Sequence, residues 1–236
     1  MRVLTWNLFH GRSQPPAGRE LSARFAEALA RWEWDAALLQ EVPPWWPALL
    51  ARACGAEHRA ALTSRNFGLR LRRAAAVRWP DVIKSNGGGC NAVLARQRII
   101  EHHAERLRWV PERRVAQLVR LADGICLVNF HGSSRPELAR EELAALWGKA
   151  VSFSAGAPLV LGGDLNLREP LLPADEIAHV ASRDVDHIFA RGFVQFGPAQ
   201  QLDRHLEVGE RRVELSDHPP LAIALDPPAG ARRGQA

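Results

Sequence analysis

APLVLGGDLN, residues 157–166, carries the reading from which the architecture unfolds. Leu159, Val160 and Leu161 form a short apolar run, the pattern of a buried strand. Gly162 and Gly163 let the backbone turn sharply or approach a ligand closely, so the stretch reads as a strand running into a Gly-Gly turn. Asp164 and Asn166 lie two apart and share one side of an extended chain. Just upstream, RPELAREELAALWGKAVSF (135–153) spaces its apolar residues for an amphipathic helix, with Pro136 near its start.

The same grammar extends outward. Residues 2–8 read as a strand. Residues 19–34 put Leu21, Phe25, Ala28, Leu29 and Trp32 at helical spacing. DAALLQEV (35–42) is a buried strand with Glu41 at its tip, and PPWWPALLARACG (43–55) is a helix opened by Pro and closed by Gly. The middle changes character: AAAVRW (74–79), NAVLAR (91–96), IIEHHAERL (99–107), RRVAQLVRL (113–121) and ICLVNF (125–130) are short aliphatic segments between turn-like SNGGG, WVPE and ADG, the pattern of an antiparallel meander. Shorter strands follow around IAHVA, DHIFAR and VQF, and the loop ELSDHPP leads into a last strand, LAIAL (221–225). With no repeat and no linker, residues 1–226 read as one α/β domain, two packed sheets with helices outside, and 227–236 as a disordered tail on composition.

Bulk composition narrows the class. The 236 residues are 47% hydrophobic and 24% charged, an ordinary globular balance. Cys54, Cys90 and Cys126 form no C-x-x-C pair, which argues against a disulfide framework and a Cys-based zinc site and fits buried, reduced thiols. The N-terminus lacks an apolar secretory core, and no run of apolar residues is long enough to span a bilayer. A cytoplasmic monomer is the expectation. Net charge is +5, with 29 Arg against 2 Lys. Arg is the better fork for phosphate, so the balance suits a polyanionic substrate without proving one.

Polar residues recur where apolar runs end: Asn7 after VLTW, Glu41 after ALLQ, His131 after LVNF, Asp164 and Asn166 after LVLGG, Asp186 before HIF, and Asp217-His218 before PPLAIAL. Each has a structural alternative. GDLN is also good turn chemistry, Glu41 precedes a helix start that favours an acid, and Asp184 shares a face with Asp186. Their order settles the matter. WN, LLQE, NxH, GDLN, DHIF and SDH follow one another as in the endonuclease/exonuclease/phosphatase superfamily, and the chain resembles that family over about residues 1–226. GDLN and SDH are the specific pieces.

The resemblance implies a four-layer α/β/β/α sandwich of two mixed, mainly antiparallel sheets flanked by helices. It implies a metal held by Glu41, with Asn7 beside it and Asp217 at a metal or water position. Asp164 resembles the residue that orients or deprotonates the attacking water, Asn166 its phosphate-contacting neighbour, His218 the histidine at the scissile phosphate, Asp186 the partner of that histidine, and His131 a second histidine that bonds a phosphate oxygen. Asn91, in NAVLAR, and Arg114 resemble substrate contacts, with Arg113 competing for the arginine role. Mg²⁺, with Mn²⁺ able to substitute, is the implied cofactor, since hard cations keep oxygen ligands and water.

The expected activity is metal-dependent phosphodiester hydrolysis with nucleic acid as substrate. A phosphomonoesterase or lipid phosphodiesterase is the alternative enzyme, and a non-catalytic phosphate- or nucleic-acid-binding module the alternative of another class. The NFH strand and the short spacing from Asn166 to Asp186 depart from the AP-endonuclease branch and stand closer to deoxyribonuclease, sphingomyelinase and tyrosyl-DNA phosphodiesterase relatives. Trp45 and Trp46 read as helix core before they read as a stacking platform.

Overall fold

The structure is a computed structural model and describes residues 1–64, 66–81, 89–208 and 211–226. In chain order the elements are β1 (Arg2–Asn7), a 3-10 turn (Phe9–Gly11), β2 (Ser13–Gln14), α1 (Ser22–Arg31), β3 (Ala36–Val42), α2 (Pro47–Cys54), β4 (Glu57–Leu62), α3 (Leu69–Arg78), β5 (Cys90–Ala95), β6 (Ile99–Arg108), β7 (Arg114–Leu121) and β8 (Cys126–Asn129). They continue with α4 (Pro136–Ser154), β9 (Leu159–Asp164), β10 (Ala178–Arg183), β11 (Asp186–Arg191), β12 (Gln195–Phe196), β13 (Gln200–Gln201), β14 (His205–Val208), β15 (Arg211–Leu215) and β16 (Leu221–Asp226).

One sheet runs β12-β16-β1-β3-β5-β4, with β13 also on β16; a second runs β10-β11-β9-β8-β7-β6; β14, β15 and β2 make a small third. The pairs β1–β3 and β8–β9 are parallel and the neighbouring pairs antiparallel. Strands buried on both faces explain the continuous apolar runs. On β1, Leu4 and Trp6 pack with Phe25 and Leu29 of α1. Val3 points the other way, into the layer shared with Leu38, Val93, Leu127, Val160 and Ile188 between the sheets. Leu143, Leu146 and Trp147 of α4 cover the outer face of the second sheet against Val128, Leu159 and Leu161. The layers are therefore α/β/β/α, as the resemblance implied. The three cysteines are free and buried, and no helix among the described residues is long and apolar enough to cross a membrane.

Three local expectations need correction. AAAVRW is not a strand: residues 69–78 form α3, because Ala, Leu and Arg are strong helix formers and Val77 is the lone β-branched residue there. NAVLAR does not join a meander with its successors. It is β5, in the first sheet, and of the expected meander only β6, β7 and β8 run as consecutive antiparallel neighbours, in the second. The Gly-Gly pair is not a turn, since β9 runs straight through it to Asp164. A Cβ on Gly162 would stand 3.1 Å from Leu38 Cδ1 of the facing sheet, and one on Gly163 would stand 1.8 Å from the Phe130 carbonyl oxygen. The glycines let the Phe130 backbone and the Leu38 side chain close on β9 rather than reversing the chain. The edge strand β4 and the β14–β15 hairpin carry too many polar residues for an apolar signal. The segment 227–236, expected to be disordered, lies outside the described residues, as do 85–88 of the expected SNGGG turn.

Beneath the strand tips a buried polar cluster ties the sheets together. Gln40 Nε2 donates to Asn129 Oδ1 (2.8 Å) and to the Thr5 hydroxyl (3.2 Å). Asn129 Nδ2 in turn donates to the Leu39 and Ala92 carbonyls, each at 3.0 Å, and to Gln117 Oε1 at 3.2 Å. Such a network tolerates only one register between the sheets.

Candidate active site

Topology assembles the polar strand ends. Because β1 parallels β3 and β8 parallels β9, these four strands finish on one side of the molecule. Asn7, Glu41, His131 and Asp164 therefore emerge together. Antiparallel β11 begins where β9 ends, so Asp186 stands opposite Asp164. Antiparallel β16 begins beside the end of β1, which delivers Asp217 and His218. The shared cleft, about 390 Å³, is lined by Asn7, His10, Arg12, Glu41, Arg114, His131, Asp164, Asn166, Asp217 and His218, among others.

The contacts are specific. Asp164 Oδ2 accepts from Asn7 Nδ2 at 2.8 Å, and its Oδ1 accepts from the Asn166 backbone N–H at 3.0 Å. His131 Nε2 lies 3.5 Å from Asp164 Oδ2 and 4.0 Å from Glu41 Oε1. His218 Nδ1 bonds Asp186 Oδ2 at 2.7 Å, leaving Nε2 3.8 Å from Asp164 and 4.0 Å from Asp217. The Ser216 hydroxyl donates to the Asn7 carbonyl at 2.6 Å and accepts from the His218 N–H at 3.0 Å, and Trp6 Nε1 donates to the His218 carbonyl at 2.9 Å. Thus β1 clamps the SDH loop. Glu41, Asn166 and Ser216 all take left-handed backbone conformations, at φ 49°, 51° and 68°. For non-glycine residues this is strain of the kind that gathers at functional sites.

Burial and charge set the proton affinities. Burial, then the neighbouring Asp164 and Asp217, push Glu41 up to about 7. Burial likewise raises Asp164. At His218 burial disfavours the cation, but the Asp186 hydrogen bond and the charges of Asp186, Asp164 and Asp217 outweigh it and lift the imidazole to about 9. The proton of that pair therefore resides on His218. His131 is driven well below its usual value by burial and by Arg114, His10 and His218, so it is neutral at pH 7.

A family model described as the Endonuclease/Exonuclease/phosphatase family matches residues 4–218. The chain belongs to the endonuclease/exonuclease/phosphatase family. As a member it is a phosphoric ester hydrolase. Solved structures with the same fold include an endonuclease/exonuclease/phosphatase from Beutenbergia cavernae (18% identity, TM-score 0.71, covering 96% of this chain and 71% of that one). They also include a mannosyl-6-phosphatase from Bacteroides thetaiotaomicron (16%, 0.68, 95% and 99%) and a truncated TDP2 from Caenorhabditis elegans (16%, 0.70, 95% and 97%). No curated protein matches the chain by sequence.

Of the residues singled out from sequence, Asn7, Glu41, His131, Asp164, Asn166, Asp217, His218 and Arg114 all line this family member's cleft. Asp186 stands behind His218. Arg113 lines the cleft too, but Arg114 is the one whose charge acts on Glu41, Asp164 and His131, so it is the inner of the two. Arg114 is buried and paired with Glu112 at 2.7 Å. Asn91 does not reach the cleft wall: its amide is buried and donates to the Val115 carbonyl at 2.8 Å. Trp46 is core, packed on Phe25 and against Gly11.

Sequence reading missed His10, whose Nε2 sits 3.1 Å from Glu41 Oε2. It also missed Arg12, stacked 3.7 Å over the Phe9 ring, and Ser64, whose hydroxyl accepts from the Arg113 N–H at 2.7 Å. His10, three residues after Asn7 on the same strand-end loop, was findable; Ser64 carried no signal. Asp164, Asp186 and His218 could hold a metal ion, with one ligand atom from each within 4.8 Å of the others. The donor chemistry around the cleft fits a hard cation. Asp186 Oδ1 is buried without a hydrogen-bond partner, and the charges of Asp164 and Asp217 fall on the buried Glu41 carboxyl, which a cation would relieve.

Proposed function

We propose that this chain is a divalent-metal-dependent phosphodiesterase that cleaves nucleic acid by attack of water at phosphorus. The observation that carries the proposal is His218, bonded through Nδ1 to Asp186 and facing Asp164 across a cleft that Glu41 and Arg114 complete. Glu41, with Asn7 and Asp217, would hold Mg²⁺ or Mn²⁺, which supplies charge neutralisation at the phosphoryl oxygens.

The protein's own groups divide the remaining work. With Nδ1 engaged by Asp186 and its proton affinity raised by that contact, His218 presents its Nε2–H to the phosphoryl group. Asp164 is left to orient the water and take its proton, with its carboxylate fixed by Asn7 and the Asn166 N–H. The water oxygen bonds to phosphorus as the ester P–O bond breaks, and the departing oxygen takes its proton from His218 Nε2. His131, neutral and buried, donates a hydrogen bond to a phosphoryl oxygen. Asn166, whose Nδ2 donates to the Gly132 carbonyl at 3.0 Å, lies on the wall against which the phosphate rests. The guanidinium of Arg12 on the Phe9 ring offers a planar cationic face on which a base can stack, which favours nucleic acid over a lipid headgroup.

The test compares bis-p-nitrophenyl phosphate with p-nitrophenyl phosphate, in Mg²⁺, Mn²⁺ and EDTA, alongside plasmid and single-stranded oligonucleotide. Diester and oligonucleotide cleavage that EDTA abolishes is expected. Exclusive use of the monoester, or full activity in an Asp164→Ala variant, would overturn the proposal.

A further inference from the structure

Helix α3 is built differently from the rest of the molecule. None of its residues is buried, although α1, α2 and α4 each anchor on apolar side chains. It departs from and returns to the active-site cleft: Thr63 and Ser64 before it and Gly89 after it all line the cleft wall. Between α3 and residues 18–20 lies a groove of about 580 Å³. Arg19, Arg70, Arg73 and Arg78 line it, with Val77 between them and Glu20 as the acid among the lining residues. Glu20 already accepts from the Ser22 hydroxyl at 2.8 Å, and Asp81, just past the helix, accepts from the Gly18 N–H at 2.7 Å. The groove is therefore strongly cationic. Asp81, bonded to Gly18 of the groove lining, is also among the charges acting on Arg12 of the cleft, so the two sites are neighbours.

Two anionic surfaces could meet such a helix. A membrane requires apolar residues gathered on one face. On α3 they are not gathered: the exposed side intersperses Arg70, Arg73 and Arg78 with Leu71 and Val77. That arrangement suits a flexible polyanion, whose phosphates meet the arginines while its bases rest on apolar and aromatic groups. Trp79 stands half exposed at the end of the helix, with the Arg78 guanidinium 5.5 Å from its ring. The ten residues of α3 extend about 15 Å, long enough to accompany several phosphates.

We propose that the α3 groove guides a single strand of nucleic acid leaving the catalytic cleft past Arg12, so that substrate length, and not only the scissile phosphate, is recognised. The inference rests on the phosphodiesterase reading above, and the test keeps the two apart. A fluorescein-labelled single strand of about 20 nucleotides is titrated in EDTA against wild type and R70Q/R73Q/R78Q, read by anisotropy across a salt series. In parallel both proteins turn over bis-p-nitrophenyl phosphate, which is too short to reach the groove. Gln keeps the helix propensity of Arg and no α3 residue is buried, so the variant folds.

The expected result is oligonucleotide binding about tenfold weaker, with the salt slope reduced by about 2, as for three lost single-strand phosphate contacts. Diester turnover stays within about twofold, since the short substrate makes none of those contacts. R70K/R73K/R78K, which keeps the charge, restores most of the affinity. Unchanged oligonucleotide affinity and slope in the Gln variant would overturn the groove and leave the hydrolase reading standing. So would loss of binding to phosphatidylserine vesicles in place of loss of oligonucleotide binding. A wild type inert toward the diester, by contrast, refutes the phosphodiesterase reading itself.

Discussion

Gly163→Ala is the sharpest single perturbation this fold offers. Gly163 has φ +145°, and a Cβ there would lie 1.8 Å from the Phe130 carbonyl oxygen, 2.9 Å from its carbon and 3.2 Å from its nitrogen. The obstacle is backbone, so no rotamer change relieves it. β8 and β9 must part by more than an ångström where they deliver His131 and Asp164, now 3.5 Å apart. Overpacking and backbone strain together cost about 4 kcal/mol. For a chain of this length that lowers the melting temperature by roughly 8–16 °C. Gly124→Ala is the matched control: it too has positive φ (+87°) but open space around its Cβ, so it carries the conformational cost alone, about 1 kcal/mol. Urea unfolding followed by tryptophan fluorescence compares the two directly, with kcat measured on folded protein. If Gly163→Ala unfolds within about 1 kcal/mol of Gly124→Ala, the close passage of β8 and β9 is wrong, and with it the placement of Asp164.

Asp186→Asn removes the charge that holds the His218 proton while keeping the shape; kcat on the diester is expected to fall by about 10²–10⁴ with unfolding unchanged within about 1 kcal/mol, and a kcat within a factor of two would refute the pairing. EDTA is expected to abolish diester hydrolysis and added Mg²⁺ to restore it, whereas Glu41→Gln should need more than about tenfold higher Mg²⁺, read by calorimetric titration as well as by rate. Buried His187, whose Nε2–H donates to the Leu167 carbonyl and whose Nδ1 accepts from His179, is pulled down to about 4, chiefly by burial. Its lowered value means the unfolded chain takes up the proton first, so its contribution is complete above pH 6.5 and is lost as pH falls toward 4, by at most about 3 kcal/mol. Raised carboxyls such as Glu41 act in the opposite sense, so the comparison is wild type against His187→Leu; equal pH slopes for the two would refute the burial argument.

How far the chain could be read follows from where each signal resides. Strands β1, β3, β8 and β9 were legible because both of their faces are buried, which writes an uninterrupted apolar run. β4 and β14 are edge strands and β15 belongs to the small third sheet, where exposed faces admit polar residues. α3 was misread because an alanine-rich segment with one valine carries no period, and with no buried residue it has no face to record. Gly162-Gly163 was misread because glycine signals freedom without saying what uses it: here the close approach of β8 and Leu38 uses it, and no turn does.

Order along the chain was enough to pick out Asn7, Glu41, His131, Asp164, Asn166, Asp186, Asp217 and His218, since the change from apolar run to polar tip is written locally. Which of them meet could not be written locally. That His218 turns Nδ1 to Asp186 and Nε2 to Asp164, that His10 reaches Glu41, and that Asn91 stays off the cleft wall all depend on two parallel strand pairs finishing on the same side of two stacked sheets. Proton affinities depend on the same convergence. A carboxyl at a strand tip is ordinary until burial and two neighbouring carboxylates raise it, and those neighbours come from β9 and the loop before β16, more than a hundred residues along the chain from Glu41.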